Sequence, residues 1–352
     1  MSTKQTQFRE ACERGDIDVV RLLLADTQVN PAYKKNEAIE FACKYGHVDV
    51  VRLLLNDSRV NPADDYNKAI GWACENGHVD VVRLLLADNR VNPADYENDA
   101  IEFACKYGHI DVVRLLFDSR FNPADYDNAP IRFACQNGHV DVVRLLLADS
   151  RIDPADRNNE AIRVACLRGH ADVVRLLLAD PRVNPADCEN DAIRWACQYG
   201  HVDVVRLLLA DPRVNPADCE NDTIRWACEG GHIDVVRLLL ADNRVNPADR
   251  NNFAIHLAFH NDHVNVVCSL LMDPRINIHD VVSTYPEVVD KCGEDESFCA
   301  LLALAGIKPF CDKYGPLDPD MHSLDKLRHW QKTRYINLYK QGEEFRNGPY
   351  GV

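Results

Sequence analysis

The sequence predicts an all-α protein, a solenoid of stacked helix-turn-helix units with about nine repeats plus C-terminal capping helices. Two observations carry that expectation. Ala-Cys recurs with its cysteine at Cys12, Cys43, Cys74, Cys105, Cys135, Cys166, Cys197 and Cys228, at intervals of 31 residues with a single 30. A fixed period of about 20 to 50 residues marks an architecture in which each unit covers its neighbour's apolar flank. Within each period the apolar residues follow helical spacing twice, with a glycine between the two runs, so one unit reads as two short helices and a turn.

The first unit is truncated and runs from Phe8 to Val20, with Asp16 where later units place His. A polar variant suits the solvent-facing end of a stack, so residues 1–35 are assigned to an N-terminal capping repeat. Eight repeats follow over residues 36–280, keyed by Asn36, Asn67, Asn98, Asn128, Asn159, Asn190, Asn221 and Asn252. In the unit beginning at Asn190, Ile193, Ala196 and Cys197 stand at i, i+3 and i+4 on one buried stripe. Gly200 closes this helix in the left-handed conformation. The second helix runs through Val204, Val205, Leu207, Leu208 and Leu209 and stops at Asp211-Pro212. An extended Arg213-Val214-Asn215-Pro216 then leads to a turn at Asp218-Cys219-Glu220-Asn221, where Asn tolerates positive φ. Residues 281–307 are expected to form capping helices and residues 308–352 a tail.

The phrase Ala-Cys-x-x-Gly-His-Val-Asp-Val-Val-Arg-Leu-Leu-Leu resembles the ankyrin repeat, whose pattern is Ala-Ala-x-x-Gly-His-x-x-Val-Val-x-Leu-Leu-Leu. The period falls short of the family's usual length of about 33, with the shortening in the hairpin loop. The family's Thr-Pro-Leu-His is replaced by versions such as Asp191-Ala192-Ile193-Arg194. Only Ala129-Pro130 keeps the proline and only His256 the histidine. These departures bear on the hairpin, because the family's Thr and His brace neighbouring turns by hydrogen bonds. Nearly identical, short-looped repeats of this kind look like those of giant DNA viruses and protists.

Composition narrows the function classes. A formal charge of −15 disfavours nucleic acid and anionic lipid as partners. No stretch approaches the ~18 to 20 apolar residues of a membrane span, and the first residues lack the apolar core of a signal peptide. The expectation is a cytoplasmic chain, in the host cytoplasm if the source is a virus. Equivalent cysteines one repeat apart stand about 8 to 10 Å from each other, beyond the ~7 Å Cα separation of a disulfide, so reduced thiols are expected. The spacing Cys-x-x-x-His, as in Cys197 and His201, raises a zinc reading. Against it stands a buried packing cysteine and a His that hydrogen-bonds within the loops. No phosphate loop, nucleophile elbow or zinc-protease motif occurs, and every prominent His, Asp or Glu repeats alike along the array. No catalytic, cofactor or metal site is therefore expected.

Recognition then falls to columns that change between repeats. The turn tips include Lys34, Asp65, Tyr96, Tyr126, Arg157, Cys188, Cys219 and Arg250, and the end of the first helix reads Tyr45, Asn76, Tyr107, Asn137, Arg168, Tyr199 and Gly230. The resemblance implies that turn tips and this helix face a concave groove, and Tyr and Arg are common interface anchors. The candidate contacts are Tyr45, Asn76, Tyr96, Tyr107, Tyr126, Asn137, Arg157, Arg168, Tyr199 and Arg250. A third column reads Glu40, Gly71, Glu102, Arg132, Arg163, Arg194 and Arg225. It offers either an electropositive stripe for an acidic peptide or local pairs with acids such as Asp191 and Asp222. Phe41, Trp72, Phe103, Phe133, Trp195 and Trp226 match a framework position of the ankyrin helix and read as packing in preference to a ligand ladder. The hairpin residues Asn61, Asn92, Asn122, Asn184, Asn215 and Asn246 resemble the Asn that an asparaginyl hydroxylase modifies in ankyrin proteins, with structural capping as the default. In the tail, Ser323 to Phe345 has the pattern of an amphipathic basic helix. The function expected is a monomeric, non-enzymatic scaffold for a protein partner. The alternative is a two-ended adaptor linking an array-bound target to ubiquitin machinery through the tail.

Overall fold

A computed structural model describes residues 3–94, 99–117 and 125–285, with the side chains of 99, 125 and 126 left aside. These residues form nineteen helices and no strand. They divide into two compact units. The first comprises residues up to 196 with 206–214, and the second comprises 197–205 with the described residues from 215 onward.

In the first unit, pairs such as Asp64–Glu75 and Val79–Leu86 alternate along the chain, and each first helix packs on its counterpart in the next repeat, as Tyr33–Lys44 does on Asp64–Glu75. The predicted stripe is the core: Ile70, Ala73 and Cys74 of one helix and Val81, Val82 and Leu85 of the other are at most 1% exposed. The second unit repeats the arrangement, with Asp218–Glu229 packed on Asp249–His260. All eight Ala-Cys cysteines are buried free thiols. Burial raises the Cys12 thiol to about 12 and pushes those of Cys43 and Cys228 higher still.

The hairpin differs from the extended link expected. Arg213 lies in a tight turn closed by Val214 N–H on the Asp211 carbonyl at 3.2 Å, and only Val214 and Asn215 lie outside turns before the next bend. Positive φ also extends beyond Asn. Cys219, Glu220 and Asn221 have φ of 50°, 55° and 60°, and Lys34, Lys35 and Asn36 have 52°, 57° and 64°. Each such hairpin therefore contains one turn of left-handed helix, a conformation that costs an L-residue roughly 1–2 kcal/mol. Pro130 comes after the left-handed Asp127 and Asn128, at the start of the right-handed part of its helix, where a missing N–H costs little.

At the C-terminal end of the array, the helix Ile278–Thr284 starts three residues before the predicted boundary and buries Val281. The remaining capping segment and the whole tail, with the amphipathic helix expected there, lie outside the described residues.

Candidate functional site

Three fasteners recur between repeats, and together they decide which side chains remain available to a partner. The first is a Gly–His contact. Gly108 has φ of 77°, and a Cβ built on it would lie 2.4 Å from Nδ1 of His139 in the next repeat. His139 Nε2 donates to the Lys106 carbonyl at 2.9 Å. His47, His78, His109 and His170 make the same bond to the preceding repeat in the first unit, and His232 and His263 make it in the second. The histidine thus binds across repeats, to the end of the first helix of the preceding unit. Asp16 stands at the same place and instead caps its own helix, accepting from Val19 N–H at 3.2 Å.

The second fastener is a buried asparagine ladder. Asn36, 3% exposed, accepts from Asn61 N–H at 2.9 Å and donates to Asp64 at 2.9 Å. Asn128 bonds Asp153 N–H and Asp156 likewise. In the second unit Asn221 bonds Asn246 N–H and Asp249. Gln5 takes this role in the first repeat, exchanging two bonds of 2.9 Å with the backbone of Asn30. The ladder ties each hairpin to the next. The hairpin asparagines close local turns: Asn61 and Asn184 accept from the N–H two residues on, in Ala63 and Ala186, and the helix Asp64–Glu75 starts after Ala63 without a side-chain cap.

The third is an Asp-x-Arg clamp. Arg182 holds Asp180 in a two-pronged bond at 2.9 and 2.6 Å, and reaches the Ile152 and Leu147 carbonyls of the preceding repeat at 2.8 and 3.2 Å. Leu147 is the last residue of Val140–Leu147, where a cation meets the negative end of the helix dipole. Arg275 does the same to Val245 and Leu240 in the second unit. The Arg hydrogen bond holds the carboxyls of Asp57, Asp88 and Asp180 below their ordinary range. Sequence reading counted these arginines as charge and missed the clamp, although Asp-x-Arg repeats as faithfully as Ala-Cys.

The candidate contacts fall into three groups. Tyr45, Tyr107 and Tyr199 are 45, 43 and 53% exposed at equivalent helix ends, and Arg168 is exposed at the same column. Lys44 Nζ and Lys106 Nζ lie 5.9 and 5.3 Å from the rings of Tyr45 and Tyr107. Other candidates are already engaged. Asn76 and Asn137 donate to the Trp72 and Phe133 carbonyls at 2.8 and 2.9 Å and so close their own helices. Arg157 pairs with Asp127 at 2.7 Å, and Arg250 with Glu220. Tyr96 and the side chain of Tyr126 lie outside the described residues. Tyr66, 68% exposed on a left-handed turn, belongs with the exposed tyrosines. It sits one residue past the turn-tip column and was missed for that reason.

The Arg column resolves into local pairing. Arg132 meets Glu160 at 3.1 Å, Arg163 meets Asp191 at 3.3 Å, and Arg194 meets Asp191 at 3.1 Å, each arginine only 15 or 16% exposed in its side chain. Arg225 pairs with Asp222. Each of these four arginines thus meets an acid. Of the aromatic column, Trp72 and Trp195 receive cations from Lys44 at 4.2 Å and Arg163 at 5.4 Å. No cluster of three His, Cys, Asp or Glu converges among the described residues, and no described helix is long and apolar enough to cross a membrane.

A search of curated proteins finds no match. A family model described as ankyrin repeats (3 copies) matches residues 8–95, 57–129, 72–158, 133–218 and 193–280, in overlapping windows that run the length of the helix pairs. With its paired helices, glycine-closed turns and regular period, the chain belongs to the ankyrin repeat family.

Proposed function

We propose that the protein is a non-enzymatic scaffold that binds a protein partner along the edge made by its first-helix ends and turn tips. Ankyrin repeats are protein-interaction modules, and the family is typically non-enzymatic. The observation that carries the reading is the recurrence of exposed tyrosine at Tyr45 and Tyr107 of the first unit, beside Asn76 and Asn137, which are committed to the fold. A large ring held at the end of a rigid helix gives contact area with little entropy to lose. Affinity purification of the full chain, set beside a Tyr45→Ala, Tyr107→Ala variant, tests it. The variant is expected to lose proteins that the native chain retains, and identical partner lists from equally folded chains would overturn the assignment. The adaptor alternative rests on residues 308–352. Removing them leaves the partner list unchanged if the array acts alone.

A further inference from the structure

The column that holds Arg132 and Arg163 contains one glycine, and the gap it leaves has a definite shape. Arg163 Nε donates to the Asn158 carbonyl at 3.1 Å and Nη2 to the Arg157 carbonyl at 3.3 Å, five and six residues back. Its guanidinium also pairs with Asp191 of the next repeat at 3.3 Å and lies 5.4 Å from the Trp195 ring. Arg132 reaches the Asp127 carbonyl and Glu160 in the same way, and in the first repeat Arg9 lies 5.5 Å from the Phe41 ring. At Arg163 the seat is complete, with turn carbonyls below, an acid across and an aromatic ring above; at Arg132 the place of the ring is taken by Val164.

At Gly71 that seat is open. A cavity of about 390 Å³ stands there, lined in part by Tyr66, Gly71, Trp72, Glu75, Pro93 and Phe103. In register with the Arg163 seat, the turn carbonyls are those of Tyr66 and Asp65 and the ring is Phe103. Phe41, Trp72 and Trp195 each have a cation of the preceding repeat over the ring. For Phe103 the two places that supply such a cation carry Gly71 and Glu75. The lysine at the rim, Lys68, is turned to acids, with Nζ 3.4 Å from Glu40 and 3.3 Å from Asp65. The following repeat carries Glu102 in this column, so Gly71 alone among these positions has no side chain.

We infer that the Gly71 cavity receives an arginine side chain of the protein partner, which completes in trans the seat that Arg163 completes within the chain. The inference rests on the protein-binding reading and names one contact of that partner. A flat guanidinium fits the site better than an ammonium, because it stacks on a ring while donating in its plane to carbonyls.

The probe is N-acetyl-L-arginine methylamide titrated into the full chain, followed through the amide resonances of Gly71 and Phe103. The citrulline counterpart serves as neutral isostere. The arginine compound is expected to shift both resonances saturably, and the citrulline compound to bind at least about five-fold more weakly. A Cβ at Gly71 meets nothing within 4 Å. Gly71→Ala is therefore expected to retain binding, and Gly71→Arg to abolish it by filling the seat from within. Phe103→Leu, which removes the ring face and keeps the packing volume, is expected to weaken binding about three-fold and decides the matter if Gly71→Arg fails to fold. Equal binding of citrulline, arginine shifts that persist in Gly71→Arg, or no effect of Phe103→Leu would overturn the inference. If arginine does not bind while the tyrosine variant still loses its partner, this inference falls and the interaction edge stands.

Discussion

The turns at Asp65–Asn67 and Arg157–Asn159 share a backbone, with three successive residues at φ of 50–59° in the first and 51–59° in the second. Four residues after the last of these, one repeat carries Gly71 and the other Arg163. The first is open to a cavity and the second is sealed by a guanidinium. The comparison shows a division of labour inside the repeat. Gly–His, the asparagine ladder and the Asp-x-Arg clamp recur with little change and hold neighbours together, so the remaining columns are free to vary without loosening the stack. In a solenoid each interface contributes separately to stability, and this makes every repeat a control for the next.

The largest effect is expected where a fastener has two reasons for its residue. Gly108→Ala places a Cβ in the left-handed region and against the His139 ring, and should cost about 3 kcal/mol in urea unfolding. Gly71→Ala, in a position with no such contact, should cost under about 1 kcal/mol, so equal losses would erase the distinction. Asn159→Ala removes two inter-repeat bonds, to Asn184 N–H and to Asp187. It also removes the side chain that eases positive φ, for an expected loss of about 2 kcal/mol.

The clamp gives a pH dependence of known sign. The carboxyls of Asp57, Asp88, Asp149, Asp180, Asp211 and Asp242 sit below their ordinary range in the folded chain, chiefly through the Arg hydrogen bond. A lowered folded value means the contribution is complete above the unfolded carboxylate value of about 4. It is lost as the pH falls through the folded values. The urea midpoint should thus hold steady from pH 7 to about 5 and drop below about 4. Glu40 acts in the opposite sense, since burial holds its carboxyl above the ordinary range. A midpoint that rises on acidification below about 4 would mean that the clamp carries little.

The helix pairs, the core stripe and the left-handed glycine were legible because each depends on spacing within one unit. Ile193, Ala196 and Cys197 could be placed from i, i+3 and i+4 alone, and all three are fully buried. The fasteners were not legible in the same way. Whether His139 points into its own loop or at Lys106 depends on how closely two repeats approach, and that distance is set by Gly108, a residue of the other repeat. The Asn ladder was half visible: positive φ was expected at the asparagines, whereas its extension to Cys219 and Glu220 contradicts their own preferences and is imposed by the ladder and the short loop. At the candidate site, the exposed tyrosines follow from the variable column, but Tyr66 and the open seat at Gly71 do not. A missing side chain carries no pattern until its neighbours show what it would have touched.

The tyrosine column has the smallest expected effect on the fold and the largest on partner retention. One paired measurement therefore tests the account most directly: urea midpoint and affinity-purified partners of the full chain, native and with Tyr45→Ala, Tyr107→Ala. The expected result is a stability change within about 0.5 kcal/mol per site together with loss of partner proteins. An unchanged partner list on an equally stable chain would contradict it.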